Sequence, residues 1–238
     1  MKALILCDGY GKKQSVYEGS SNALISLKEG FAVIDKLLLD LATIGLREAV
    51  LLTSVSFSSL QDALGSERKG VKLSYEQATR TFKNIASALG KMDDDVLVMD
   101  CGIVTDINLK KMIMKFSHTT ALVLIYAATG AESHGSTNPV SEALFDWESR
   151  AVYGGIFCVR KGYDFGQFVL GDELEEVLPL LEDLGQLDVY EEANFWGTFY
   201  TEDGKKRILA EFHNKTAKPW GYEKVQIITE LYLLKELY

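Results

Sequence analysis

Lys2-Ala3-Leu4-Ile5-Leu6-Cys7-Asp8-Gly9-Tyr10-Gly11-Lys12-Lys13 is an apolar run of strand length that breaks into a turn carrying glycines and lysines. A continuous apolar run, rather than an alternating one, reads as a strand buried on both faces, as in a parallel sheet covered by helices. Gly9 and Gly11 let backbone N–H groups approach phosphate oxygens closely, and Lys12 and Lys13 add positive charge. A G-x-G is also what any tight turn after a strand supplies, so a phosphate loop and a plain turn both remain open here.

Outward from this strand, apolar runs and helical stretches alternate. Ala32–Ile44 has helical periodicity, with Leu37, Leu38 and Leu41 on one face and Gly45 as a stop. Ala49–Thr53 reads as a strand, Ser58–Leu64 as a helix, Val71–Tyr75 as a strand and Ala78–Leu89 as a helix. Val96–Asp100 (strand), Leu109–Phe116 (helix) and Ala121–Ala127 (strand) continue the pattern. In the second half, Val140–Asp146, Ala151–Arg160, Val189–Tyr190 and Phe195–Tyr200 are expected as strands. Glu173–Leu184 is expected as a helix interrupted by Pro179, and Glu202–Phe212 as a further helix. The alternation predicts a three-layer αβα sandwich with a mixed, mostly parallel, Rossmann-like sheet. Ligands of such sheets bind beyond the carboxyl ends of the strands, so the loops after Cys7, Thr53, Tyr75 and Asp100 are where chemistry is expected.

Composition narrows the function classes. The 238 residues are 47% hydrophobic and 25% charged, enough to bury a large core. A formal net charge of −9 opposes nucleic-acid binding, which needs clustered Lys and Arg. No apolar run approaches the ~20 residues of a membrane span, so no membrane partner is expected. The opening apolar run is too short for a secretory signal. Cys7, Cys101 and Cys158 each sit in an apolar run and read as buried, reduced thiols of a cytoplasmic protein. His118, His134 and His213 show no ligand spacing, and Asp93-Asp94-Asp95 reads as a solvated turn at the wrong side of the sheet for catalysis.

Several segments together resemble the sugar-phosphate nucleotidyltransferases, and hence the nucleotide-diphospho-sugar transferase fold. The opening strand with its G-x-G is similar to that family's start, which continues A-A-G-x-G-x-R and then P-K-x-L. Gly45-Leu46-Arg47-Glu48-Ala49-Val50-Leu51-Leu52-Thr53 is similar to its second strand entry. Leu97-Val98-Met99-Asp100-Cys101-Gly102-Ile103-Val104-Thr105-Asp106 resembles L-V-x-N-G-D-x-x-T-D. Gly154-Gly155-Ile156-Phe157-Cys158-Val159 resembles x-G-I-Y-V, and Trp196-Gly197-Thr198-Phe199-Tyr200-Thr201-Glu202-Asp203 resembles W-x-D-I-x-T-P-E-D. The resemblance implies attack of a sugar phosphate on a nucleoside triphosphate, giving a nucleotide sugar and pyrophosphate. It implies Mg²⁺ held by the aspartates of N-G-D and W-x-D.

The sequence departs from the family where the chemistry would be carried. Lys13 replaces the loop arginine, keeping charge but losing the bidentate fork. Asp8 replaces a small residue where phosphates would lie. Asn22 replaces the P-K lysine, Gly102 the N-G-D aspartate and Thr198 the W-x-D aspartate. The base-binding turn corresponds at best to Lys83-Asn84-Ile85. The resemblance therefore leaves Lys13 and Asp100 as candidate catalytic residues, with Asp100 as a substitute metal ligand should the protein be active. Gly9, Gly11, Lys12, Lys13 and Asn84 are the candidate nucleotide contacts. Gly102→Asp together with Thr198→Asp is expected to restore part of a lost activity.

Residues 1–213 thus read as a nucleotidyltransferase-like domain. Residues 214–238 carry Lys218-Pro219-Trp220-Gly221-Tyr222-Glu223, which resembles the opening of the cupin domain of sugar-phosphate isomerases; a hairpin packed on the main domain is the other reading. The expected small-molecule partners are a nucleoside triphosphate or nucleotide sugar and a sugar phosphate. An enzyme with an altered site and a non-catalytic regulatory module both remain open. A glycosyltransferase would want Asp-x-Asp after the central strand, where this chain has Asp100-Cys101-Gly102.

Overall fold

The computed structural model describes residues 1–8, 21–54, 57–78, 81–128, 152–168, 177–192 and 195–213. The glycine loop with Gly9, Gly11, Lys12 and Lys13, the expected strand Val140–Asp146 and the cupin-like residues 214–238 lie outside these.

The apolar opening forms strand β1 (Lys2–Leu6), and Cys7 and Asp8 begin a turn. A short hairpin of β2 (Ser26–Lys28) and β3 (Phe31–Ala32) leads into helix α1 (Val33–Thr43). Then follow β4 (Glu48–Thr53), α2 (Phe57–Leu64), β5 (Glu67–Arg68), β6 (Val71–Gln77) and α3 (Phe82–Gly90). β7 (Val96–Asp100), β8 (Ile103–Thr105), α4 (Leu109–His118), β9 (Val123–Ala128) and β10 (Val152–Val159) come next. A helix at Leu178–Asp183, β11 (Leu187–Glu192), β12 (Trp196–Thr198) and a helix at Glu202–His213 complete the described elements.

Eight strands form one sheet in the order β11-β9-β10-β7-β1-β4-β6-β5. The pairs β1/β4, β1/β7, β4/β6 and β9/β11 are parallel, whereas β10 runs antiparallel to both β7 and β9. This is the mixed, mostly parallel α/β sheet that the alternation predicts, with β1 in its interior.

Strand alternation divides the core into two layers. Ala3 and Ile5 of β1 and Leu97 and Met99 of β7 pack with Leu37, Leu38 and Leu41 of α1 and with Met112 and Phe116 of α4. Leu4, Leu6, Val96 and Val98 face the opposite layer with Phe82, Ile85 and Leu89 of α3, and with Leu178 and Leu181. Both faces are thus covered, and burying each such side chain contributes ~1.5–3 kcal/mol. The chain steps from β1 outward through β4 to β6, then returns to place β7 on the other side of β1. The crevice between β1 and β7 is the switch point at which open α/β sheets bind ligands.

Local differences from the sequence reading have physical causes. β6 runs two residues beyond Tyr75, so α3 begins at Phe82 rather than Ala78. Pro179 stands in the first turn of the helix Leu178–Asp183, where its missing N–H costs nothing; the part of the expected helix Glu173–Leu184 that precedes Val177 lies outside the described residues. β8 and β12 pair antiparallel as a separate two-stranded sheet.

Candidate functional site

β1 and β7 are in register with Leu6 opposite Asp100, and the Cys101 N–H donates to the Leu6 carbonyl at 3.0 Å. Asp8 and Asp100 are therefore delivered to neighbouring positions at the carboxyl edge, each only 3% exposed. Between them, Cys7 and Cys101 stand on one face. Burial first, then the adjacent Cys7 and the Asp100 and Asp8 carboxylates, push the Cys101 thiol well above its ordinary value. Burial does the same to Cys158. These two thiols stay protonated at neutral pH and are not nucleophiles.

Asp8 is turned toward the end of β4. Its Oδ2 accepts from the Thr53 hydroxyl at 2.7 Å, the Ser54 N–H at 2.7 Å and the Ser54 hydroxyl at 3.3 Å. On the other flank, the Ser21 hydroxyl and the Ala23 N–H both donate to the Cys7 carbonyl, at 3.0 and 3.1 Å. These bonds bring the turn Asn22–Leu24 against the end of β1. Asn22 is 1% exposed, and neither its side-chain nitrogen nor its oxygen finds a hydrogen-bond partner among the described residues.

Asp100 is held differently. Its Oδ1 accepts the Gly102 N–H at 2.7 Å, and the Tyr200 hydroxyl lies 2.8 Å from Oδ1 and 2.7 Å from Oδ2. Tyr200 arrives from the far end of β12. Thr198 pairs with Ile103, the Phe199 N–H donates to the Gly102 carbonyl at 2.8 Å, and the Thr198 hydroxyl donates to the same carbonyl at 3.2 Å. Thr198 Oγ1 in turn accepts the Tyr200 N–H at 3.1 Å. Asp100, Gly102 and Thr198, flagged in the sequence, are thus brought together, and Tyr200, which the sequence reading did not single out, sits over all three. A Cβ built on Gly102 would overlap the Tyr200 ring and its hydroxyl. Gly102→Asp therefore requires the Tyr200 ring to move, so the expected rescue by Gly102→Asp with Thr198→Asp depends on that shift as well.

Among the described residues this donor set does not fit Mg²⁺, which wants several charged or water oxygens in near-octahedral array at ~2.0–2.1 Å. Asp100 accepts an O–H and an N–H, Gly102 brings no side-chain donor atom, and the Thr198 hydroxyl is neutral and already engaged. Among the described residues, no group of three or more His, Cys, Asp or Glu is placed to hold a metal ion. Asp93 and Asp95 lie at the other edge of the sheet, paired with Lys2 at 2.6 Å and with Arg160 at 3.0 Å. Asn84 stands in the first turn of α3, beyond the carboxyl end of β6, with its N–H donating to the Thr81 carbonyl at 3.0 Å. No helix among the described residues is long and apolar enough to cross a membrane.

The architecture is an α/β fold built on a mixed, mostly parallel sheet. One solved structure it resembles belongs to a Bacillus anthracis protein assigned as a glucose-1-phosphate thymidylyltransferase, determined in complex with sucrose. The likeness covers 92% of this chain and 98% of that one, with a TM-score of 0.67 and 13% identity. No family model and no curated protein matches the sequence. The class defined at this identity is one of fold: an α/β protein with a nucleotidyltransferase-like sheet.

Proposed function

We propose that this chain is a nucleotide- or nucleotide-sugar-binding domain on a sugar-phosphate nucleotidyltransferase scaffold, with weakened or lost nucleotidyl transfer. The observation that carries the reading is the contact between Thr198 and Gly102, 3.2 Å from hydroxyl to carbonyl. The two positions at which the resemblance puts metal carboxylates are adjacent, as a shared cation would need, and neither bears a carboxylate. Stabilising charge on transferring phosphoryl groups is the main work of such a site, and losing one preorganised contact typically costs ~10²–10³ in rate. Binding has fewer requirements. By the resemblance, the glycine loop with Lys12 and Lys13 would supply amides and charge for phosphates and Asn84 a contact to the base, and the buried Asn22 amide has donor and acceptor capacity unspent among the described residues.

The test is a melting-temperature and calorimetric titration with nucleoside triphosphates, nucleoside diphosphate sugars and hexose 1-phosphates, in Mg²⁺ and in EDTA. At least one nucleotide or nucleotide sugar should raise the melting temperature, and Lys12→Ala with Lys13→Ala should remove the shift. A flat response across the panel would leave the scaffold without the proposed ligand.

A further inference from the structure

We infer that Tyr200 is the residue that keeps divalent cations off this cleft: its phenol occupies the place of a cation beside Asp100, so that ligands are bound there without metal. This deepens the proposed binding role and rests on it only for the identity of the ligand; the exclusion of metal stands on its own geometry.

Three observations converge. First, the Tyr200 hydroxyl lies within 2.8 Å of both Asp100 oxygens, as one small electrophile shared by a carboxylate would. A single phenolic proton placed between two oxygens answers the carboxylate's charge without bringing a charge of its own. Second, the ring fills the space above Gly102, and the nearest atoms that a Cβ at Gly102 would meet all belong to Tyr200. The missing carboxylate and the added phenol are therefore linked sterically: a side chain at position 102 requires the Tyr200 ring to swing away from its place over Asp100. Third, the ring is held from its own backbone, because its N–H donates to Thr198 Oγ1 and that hydroxyl donates on to the Gly102 carbonyl. Thr198, at the other position of the resemblance's metal pair, thus positions the plug. All three replaced or added groups serve one arrangement, in which Asp100 is satisfied by protein donors.

The consequence concerns ligand class. A triphosphate normally enters such a site with Mg²⁺ screening its charge, and here it would approach the Asp8 and Asp100 carboxylates without that metal ion. A ligand of lower charge with hydroxyl groups to offer, such as the sugar or ribose portion of a nucleotide sugar, suits buried carboxylates and an amide better.

The experiment uses Mn²⁺ as the probe, read by electron paramagnetic resonance and by calorimetry on the intact chain. The parent should show no Mn²⁺ site tied to Asp100, so that Asp100→Asn leaves its Mn²⁺ titration unchanged. Tyr200→Ala with Gly102→Asp should gain Mn²⁺ affinity ~10- to 100-fold, a range typical of changes around metal ligands. Asp100→Asn should abolish that gain. Tyr200→Ala alone provides the second variant should the pair fail to fold; it should show a smaller gain that again depends on Asp100. A parent that binds Mn²⁺ and loses it on Asp100→Asn would overturn the inference. So would a folded Tyr200→Ala variant with no gain. Neither result bears on whether nucleotide sugars bind, which the EDTA arm of the ligand titration reads separately.

Discussion

Asn22 keeps an amide in the interior at 1% exposure with nitrogen and oxygen both unbonded among the described residues. Leaving a buried polar group unsatisfied costs ~1–3 kcal/mol, so a purely structural role would favour an apolar side chain of similar shape. Asn22→Leu should therefore raise stability by about that amount in urea denaturation, while the melting-temperature response to a nucleotide sugar falls. A drop in stability would show that the amide is used in holding the fold. Tyr200 poses the complementary case. Its partner Asp100 is 100 residues away, and the fit of its ring over Gly102 is a steric match between two chain segments. A single sequence displays the glycine and the tyrosine but carries no local pattern that joins them, so the glycine was legible only as a missing carboxylate.

At the scale of elements, α1 is tied to the β5 end of the sheet by a buried ion pair. Arg68 of β5 donates to Asp35 of α1 through Nε at 2.7 Å and Nη2 at 2.9 Å, and the Ala32 N–H donates to the same carboxylate at 2.8 Å. Burial pushes the Asp35 carboxyl up, but Arg68, the Ala32 N–H and Lys69 outweigh it and hold the group below its ordinary 3.8. A depressed carboxyl contributes stability that is present above the unfolded value and is lost as pH falls through the folded one. Arg68→Ala should cost ~1.5–3 kcal/mol near neutrality, the worth of a hydrogen bond to a charged group. The deficit relative to the parent should shrink as pH drops below 3.8, measured by chemical denaturation across the acid range; a deficit independent of pH would assign the loss to packing instead. The long elements were legible because a strand buried on both faces is a continuous apolar run and each covering helix shows its own stripe. β12 was legible within the expected strand Phe195–Tyr200, but β2, β3 and β8 were not, because strands of two or three residues are too short for periodicity and owe their form to the chain segments they meet.

Across the whole molecule, the alternation of apolar runs and helical stripes carried the three-layer architecture and the interior place of β1, and a likeness at 13% identity still spans 92% of the chain. Architecture survives such divergence because many apolar sequences fill the same layers, whereas a reaction depends on a few groups at the carboxyl edge. At that edge this chain places Asp8, Asp100, Gly102, Thr198 and Tyr200, in an arrangement of protein donors answering protein acceptors. The most direct measurement is pyrophosphate release from each common nucleoside triphosphate against a panel of hexose 1-phosphates with Mg²⁺ present. The account predicts residual turnover at most, since groups that act as a unit leave little when several are replaced. Turnover in the ordinary enzymatic range of ~1–10³ s⁻¹ would contradict it.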